Sequence, residues 1–214
     1  MSELANPAPE HDRAAGGETV GPDGPDDLTP RRSRTGLVVS VVVALVLIGF
    51  VAVLATREPA TDRRASSPLI GRVAPPLVGE TLDGEAFDIG DHRGRWVVVN
   101  FFATWCQPCI QEHPELVAFD EAHRPTDYAR VVSVLYSDDP GTARKFFDRN
   151  GGDWPVVIDR DGRIALAYGV PKVPETYLVD PTGRVVEKLT GGVTRQGLEN
   201  VIVREARAAR EAGS

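Results

Sequence analysis

The chain has two cysteines, and they stand three positions apart, at Cys106 and Cys109. That count and spacing exclude a scaffold stapled by several disulfides and a zinc module held by four thiolates. The residues before the pair narrow the choice further. Arg95 to Phe102 (RWVVVNFF) is a largely apolar run of strand length, the pattern of a strand buried on both faces. Cys109 to His123 reads as a helix, with Leu116, Val117 and Phe119 on its apolar side and Pro114 placed to kink it. The pair therefore lies where a buried strand hands over to a helix.

A cysteine at a helix N-terminus faces unpaired backbone N–H groups and the positive end of the helix dipole, both of which favour a thiolate. Cys109, one turn further on, is close enough for a short-loop disulfide. Pro108 has no N–H to lose in a first helical turn and stiffens the loop. Cys106 reads as the attacking nucleophile and Cys109 as the residue that resolves a mixed disulfide, with Trp105, Gln107 and Pro108 as their immediate supports. A rival reading uses the same pair to bind a metal, with His113 as a third ligand. On the helix, His113 and His123 are otherwise expected at the surface. Glu112 and Glu175 are the carboxylates that could take the proton of Cys109, because a thiol with a pKa near ~8.5 is mostly protonated at neutral pH.

The remaining segments alternate. Leu77–Thr81 and Ala86–Ile89 form a hairpin around Asp83-Gly84, and Ala129–Tyr136 is a second buried strand. Thr142–Asn150 is helical and stops at Gly151-Gly152. A short strand at Pro155–Ile158 and a short helix at Ile164–Tyr168 follow. Tyr177–Val179 and Val185–Leu189 flank the turn Asp180-Pro181-Thr182-Gly183, and a last helix is capped by Thr194. Strands alternating with helices predict one α/β domain over residues 69–214, its sheet covered on both sides.

Ahead of that domain, residues 1–35 are rich in Pro, Gly, Asp and Glu and read as a disordered tail. Gly36 to Ala55 then runs twenty residues without a charge. At ~1.5 Å per residue this is about 30 Å, the thickness of a bilayer's hydrocarbon core, so it predicts one transmembrane helix. A cleaved signal peptide would carry a shorter apolar core nearer the start; Val53 and Ala55 keep a cleavage site open. Arg31-Arg32 offers only a weak twin-arginine signal, since Ser33, Arg34 and Thr35 follow it. Arg31, Arg32 and Arg34 before the span nearly balance Arg57, Arg63 and Arg64 after it, but the first cluster is the more compact and favours an N-terminus inside and the folded domain outside the membrane. Residues 56–68 form a polar linker. With 24 basic against 31 acidic residues and a net charge of −7, a nucleic-acid partner is not expected.

The string NFFATWCQPCIQEHPEL resembles the active-site segment of the thioredoxin superfamily, most closely its membrane-anchored branch with TlpA, ResA and CcmG (DsbE). The likeness spans residues 69–207. It implies a thioredoxin-like fold with an N-terminal hairpin and a central insertion around Thr142 to Ile158. Asn100 departs from cytosolic thioredoxins, which keep an aspartate there. The branch often carries a glutamate at the position of Glu112, and Glu175 resembles the CcmG pattern. In VPKVPETYLVD the superfamily's cis-proline falls on Pro174, which leaves Val173 to offer its backbone to an extended substrate. Peroxiredoxins share the architecture but need a threonine where Ala103 stands. The resemblance implies a thiol-disulfide oxidoreductase with no cofactor beyond a Cys106–Cys109 redox disulfide. It also implies protein-disulfide substrates such as apocytochrome c and a membrane electron donor of the CcdA/DsbD type. Neutral Gln107 between the cysteines points to a reducing or intermediate potential.

Overall fold

The computed structural model describes residues 34–55 and 63–212, with side chains over residues 36–52 in the first stretch. Two units are present, Met1–Arg57 and Glu58–Ser214. The first holds helix α1, Arg34–Ala55, of 22 residues. Its described large apolar side chains, from Leu37 to Val51, are exposed. Among the described residues no helix is long and apolar enough to cross a membrane. The tail read as disordered lies outside the described residues up to residue 33, and so does the linker from 56 to 62.

The second unit is built on a six-stranded sheet. In chain order its elements are β1 (Arg63–Arg64), β2 (Val78–Glu80), β3 (Ala86–Asp88), β4 (Trp96–Phe102), α2 (Gln107–His123) and β5 (Ala129–Leu135). Then come α3 (Pro140–Asn150), β6 (Val156–Ile158), α4 (Arg163–Tyr168), β7 (Glu175–Val179), β8 (Val185–Thr190) and α5 (Arg195–Ala212). The sheet order is β1-β8-β7-β4-β5-β6, while β2 and β3 pair separately as the hairpin. Strands β4, β5 and β6 are parallel; β7, β8 and β1 are added antiparallel on the other side.

Every residue of β4 is buried, because both of its faces are covered. Trp96, Val98 and Phe102 point to one core with Leu116 and Phe119 of α2, Phe146 of α3 and Leu198, Val201 and Ile202 of α5. Val97, Val99 and Phe101 point the other way, to Ile164 and Tyr168 of α4 and to Leu77 and Phe87 around the hairpin. This alternation assigns each polar residue in the sheet to a face. Asn100 falls on the α2 face.

The folded unit begins earlier than residue 69. Arg63 and Arg64, read as linker, form the edge strand on Thr190 and Leu189 of β8, and Arg64 Nε lies 3.3 Å from Glu187 Oε2. Helix α2 also starts two residues before the predicted Cys109 and continues through Pro114, whose ring faces solvent. The active-site loop is thereby half helical already.

Candidate active site

Cys106 is the N-cap of α2, with extended backbone, and its Sγ accepts a hydrogen bond from Cys109 N at 3.2 Å. The two cysteines are joined, with S–S 2.09 Å and Cα atoms 5.2 Å apart. Both are buried, Cys109 completely. When the bond is reduced, the Cys106 sulfur lies at the open end of the helix, where backbone N–H groups stabilise negative charge.

The loop carrying the pair is pinned to the segment after β5. Thr104 N donates to Asp138 Oδ2 at 2.5 Å, and the Trp105 indole N–H donates to Ser137 O at 3.2 Å. Ser137 sits at φ +46°, in the left-handed region that non-glycine residues rarely adopt. Trp105 is 57% exposed beside the buried cysteines, and Gln107 and Pro108 are exposed at the first turn of α2. Neither Ser137 nor Asp138 is marked in the sequence, since their role depends on β4 and β5 lying side by side.

The Val173–Pro174 peptide is cis. Phe101 on β4 is paired with Glu175 on β7, so Pro174 lies at the end of the sheet from which the chain continues to Cys106. Gly191 N donates to Pro174 O at 3.1 Å. Val173 is half-buried and packs against both cores.

The two carboxylates separate. Glu112 is buried one turn after Cys109, on the α2 face that also buries Cys109, His113, Leu116 and Phe119. Its Oε1 accepts from Asn100 Nδ2 at 2.8 Å, and its Oε2 accepts from Val193 N at 2.9 Å. Asn100 donates its second N–H to Thr176 Oγ1 at 3.2 Å. The loop carrying Gly192 passes close by: a Cβ there would sit 3.7 Å from Glu112 Cβ and 3.9 Å from Pro108 O.

Glu175 is not brought to that side. Strand alternation puts it on the opposite face with Tyr177, where Lys188 Nζ lies 2.8 Å from its Oε2 in a buried ion-pair contact rather than an aligned hydrogen bond. Lys188 also lies 5.3 Å from the Tyr177 ring centroid. Burial alone would lower the Lys188 pKa, but Glu175 and the Tyr177 hydroxyl outweigh it and raise the value. Burial also raises the Tyr177 hydroxyl, against Lys188, and that hydroxyl donates to Tyr168 O at 2.6 Å.

His113 corrects the expectation of a surface residue. It is buried among Phe102, Phe146, Phe147 and Trp154, with Nε2 2.9 Å from Gly151 O. Burial pushes its pKa below the ordinary histidine value, and the Gly151 and Asn150 backbone contacts offset this only in part. His123 is half-buried, its ring tilted against that of Phe119 with centroids 4.5 Å apart. Among the described residues no group of three or more His, Cys, Asp or Glu side chains is placed to hold a metal ion.

A helix-capping cysteine paired with a fully buried one, beside a buried carboxylate and the Pro174 loop, defines a thiol-disulfide oxidoreductase of the thioredoxin superfamily. The chain belongs to the Redoxin family, whose model matches residues 69–202, and is ResA/CcmG-like within it. It is 32% identical over 161 residues to the thiol-disulfide oxidoreductase ResA of Bacillus subtilis, covering 75% of this chain and 85% of that one. Among solved structures it is similar to the thioredoxin domain of a Bacteroides vulgatus thiol-disulfide oxidoreductase (TM-score 0.57, 26% identity, 64% of this chain and 98% of that one). It is also similar to a DsbF homologue from Corynebacterium diphtheriae (TM-score 0.55, 26% identity, 62% and 86%).

Proposed function

We propose that the protein is a membrane-anchored reductant of disulfides in extracytoplasmic proteins, with the haem-attachment cysteines of apocytochrome c as its substrate class. The observation that carries the chemistry is the Cys106–Cys109 disulfide on the first turn of α2 with Glu112 buried one turn on. In the reduced protein, the Cys106 thiolate attacks a substrate disulfide, forms a mixed disulfide and releases the first substrate thiolate. Cys109 then passes its proton to Glu112 and attacks Cys106 Sγ. The Cys106–Cys109 disulfide forms and the second substrate thiolate leaves. The substrate gains two electrons and the cysteine pair loses two. A dithiol on a membrane donor of the CcdA/DsbD type returns the pair to its reduced form by the same exchange.

Neutral Gln107 supports the reducing direction, because it adds no positive charge to stabilise the thiolate form. The anchor reading rests on the sequence, where the twenty uncharged residues from Gly36 to Ala55 would extend about 30 Å at ~1.5 Å rise. The arginines ahead of them support a cytoplasmic N-terminus and an extracytoplasmic domain. Val173 and Pro174 offer backbone to an extended substrate segment beside exposed Trp105.

The test is a trapping experiment. Cys109→Ala in the full chain accumulates mixed disulfides through Cys106 with exported proteins bearing paired cysteines, identified by mass spectrometry. A complete lack of such adducts removes the proposal. An equilibrium titration against glutathione and dithiothreitol decides the direction: a potential near that of thioredoxin (about −270 mV) fits a reductant, and one near that of DsbA (about −120 mV) reverses it.

A further inference from the structure

We infer that Asn100 is a positioning residue for disulfide exchange: its side-chain amide holds the Glu112 carboxylate ready for the Cys109 proton. The inference deepens the reading of Glu112 as proton acceptor and rests on it. Asn100 is fully buried at the centre of β4, on the sheet face that α2 covers. Both of its N–H groups are used, one on Glu112 Oε1 at 2.8 Å and one on Thr176 Oγ1 at 3.2 Å. Its carbonyl Oδ1 is buried and has no hydrogen-bond partner among the described residues. A buried acceptor left idle is unfavourable, so the amide is oriented for its donors and not for its oxygen. Turned over, Oδ1 would face a carboxylate oxygen, acceptor against acceptor.

Backbone supplies the second support. Val193 N donates to Glu112 Oε2 at 2.9 Å, from the loop whose Gly191 N donates to Pro174 O at 3.1 Å. The carboxylate is thus gripped on one oxygen by β4 and on the other by the loop that also holds the proline segment. Of the two grips, only Asn100 is a side chain that substitution can remove cleanly. Donors aimed at a carboxylate favour its ionised form, the form that can accept a proton. Without Asn100, Glu112 loses the donor that β4 supplies and faces an apolar strand there, and the proton-accepting form is populated only at higher pH.

The experiment follows resolution of a mixed disulfide in the full-length chain. The reduced protein is mixed with oxidised glutathione. Acid quenching and mass spectrometry then give the rate at which the Cys106–glutathione adduct converts to the Cys106–Cys109 disulfide, from pH 5 to 10. Glu112→Gln is expected to slow this step at least about tenfold at pH 7 and to recover at alkaline pH, where the thiol ionises unaided. Asn100→Leu is expected to move the acid limb of the profile upward by about one pH unit, roughly tenfold in rate on that limb. Thr176→Val, which removes the other partner of the amide, is expected to leave the limb in place. A merely structural role for Asn100 would lower thermal stability without moving the limb. If Asn100→Leu does not fold, Asn100→Asp decides instead: it sets a second carboxyl against Glu112 and is expected to shift the limb the same way. The inference is overturned if the Asn100 variants keep the wild-type limb while Glu112→Gln does not, or if Thr176→Val moves it equally. A wild-type profile in Glu112→Gln overturns the proton-acceptor reading itself, and this inference with it.

Discussion

At the scale of single residues, Gly151 and Gly152 differ although both follow α3. Gly151 adopts φ +77° and ψ −168°, a region nearly confined to glycine, but a Cβ there would meet open space. Gly152, at φ +101°, would place a Cβ 2.9 Å from Trp154 Cη2 and 3.0 Å from both His113 Cε1 and Phe147 Cδ1. All three neighbours belong to one aromatic cluster, so relief for one ring presses on another. Gly151→Ala is expected to cost about 1–3 kcal/mol of stability from backbone strain alone. Gly152→Ala should lose roughly a further 1–3 kcal/mol from overpacking. Urea denaturation of the two variants side by side tests the difference, and equal midpoints would show that the rings yield freely. The same scale explains Trp105. Its ring is exposed, yet its N–H is spent on Ser137 O, so the indole is held at the surface and fixed to the scaffold. Trp105→Ala is expected to change stability by less than about 0.5 kcal/mol while slowing exchange with protein disulfides. Exchange with oxidised glutathione, which has little surface to dock, should slow less.

At the scale of elements, the contact of α2 with α3 holds a neutral histidine. Because burial sets the folded pKa of His113 below the unfolded value of about 6.5, the unfolded chain takes up this proton more readily. The stability associated with His113 is therefore complete above pH ~6.5 and is lost as the pH falls below it. His113→Gln keeps a donor for Gly151 O and does not titrate. Its Tm is expected to be lower than wild type at pH 7 but to fall less between pH 7 and 5. His92, also lowered by burial and then by Arg95, leaves a residual acid sensitivity in both proteins. On the far face of the sheet, the buried Glu175–Lys188 pair predicts a different asymmetry. Lys188→Met alone should cost about 3–5 kcal/mol because it strands a buried carboxylate, whereas Lys188→Met with Glu175→Gln should regain most of it. Denaturation midpoints of the single and double variants decide. These cases also show what the sequence made legible. Strands β4 and β5 were readable because their apolar runs need no knowledge of their neighbours, and α2 because the cysteine pair marks its first turn. The burial of His113 was not, because its covering rings Phe146, Phe147 and Trp154 arrive from another element more than thirty residues on. Its spacing did carry a hint, since Cys109, His113 and Leu116 share one helical stripe. Glu175 was misplaced for a simpler reason: β7 begins at Glu175 and not at Tyr177, and two-residue alternation then assigns the glutamate to the face of Tyr177. Strand β1, two arginines long, has no pattern to read.

At the scale of the whole molecule, every group assigned to the chemistry lies in the second unit. Cys106, Cys109, Glu112, Asn100, Val173 and Pro174 are joined to one another through β4, α2, β7 and the loop after β8. The Redoxin match is likewise confined to residues 69–202. The described large apolar side chains of α1 are exposed, while the buried ones of the second unit are gathered on the two faces of the sheet. An exposed apolar helix of this length is unfavourable in water, at about 25 cal/mol for each Å² it leaves wetted, and a lipid phase removes that cost. On the proposed anchor reading, catalysis and anchoring separate cleanly. Deletion of residues 1–57, which keeps Arg63–Arg64 on the edge of β8, is expected to leave the rate with oxidised glutathione within about twofold of the full chain. The same deletion should move the protein from the membrane pellet to the supernatant after high-speed centrifugation of lysed cells. A further deletion through residue 66 removes β1 and its Arg64–Glu187 contact, uncovers the β8 edge, and should lower Tm without changing the Cys106–Cys109 potential. A full chain already in the supernatant would end the anchor proposal and leave the redox assignment untouched. A first truncation that is soluble but inactive toward glutathione would mean that the apolar helix takes part in the chemistry, which no contact in the second unit accounts for.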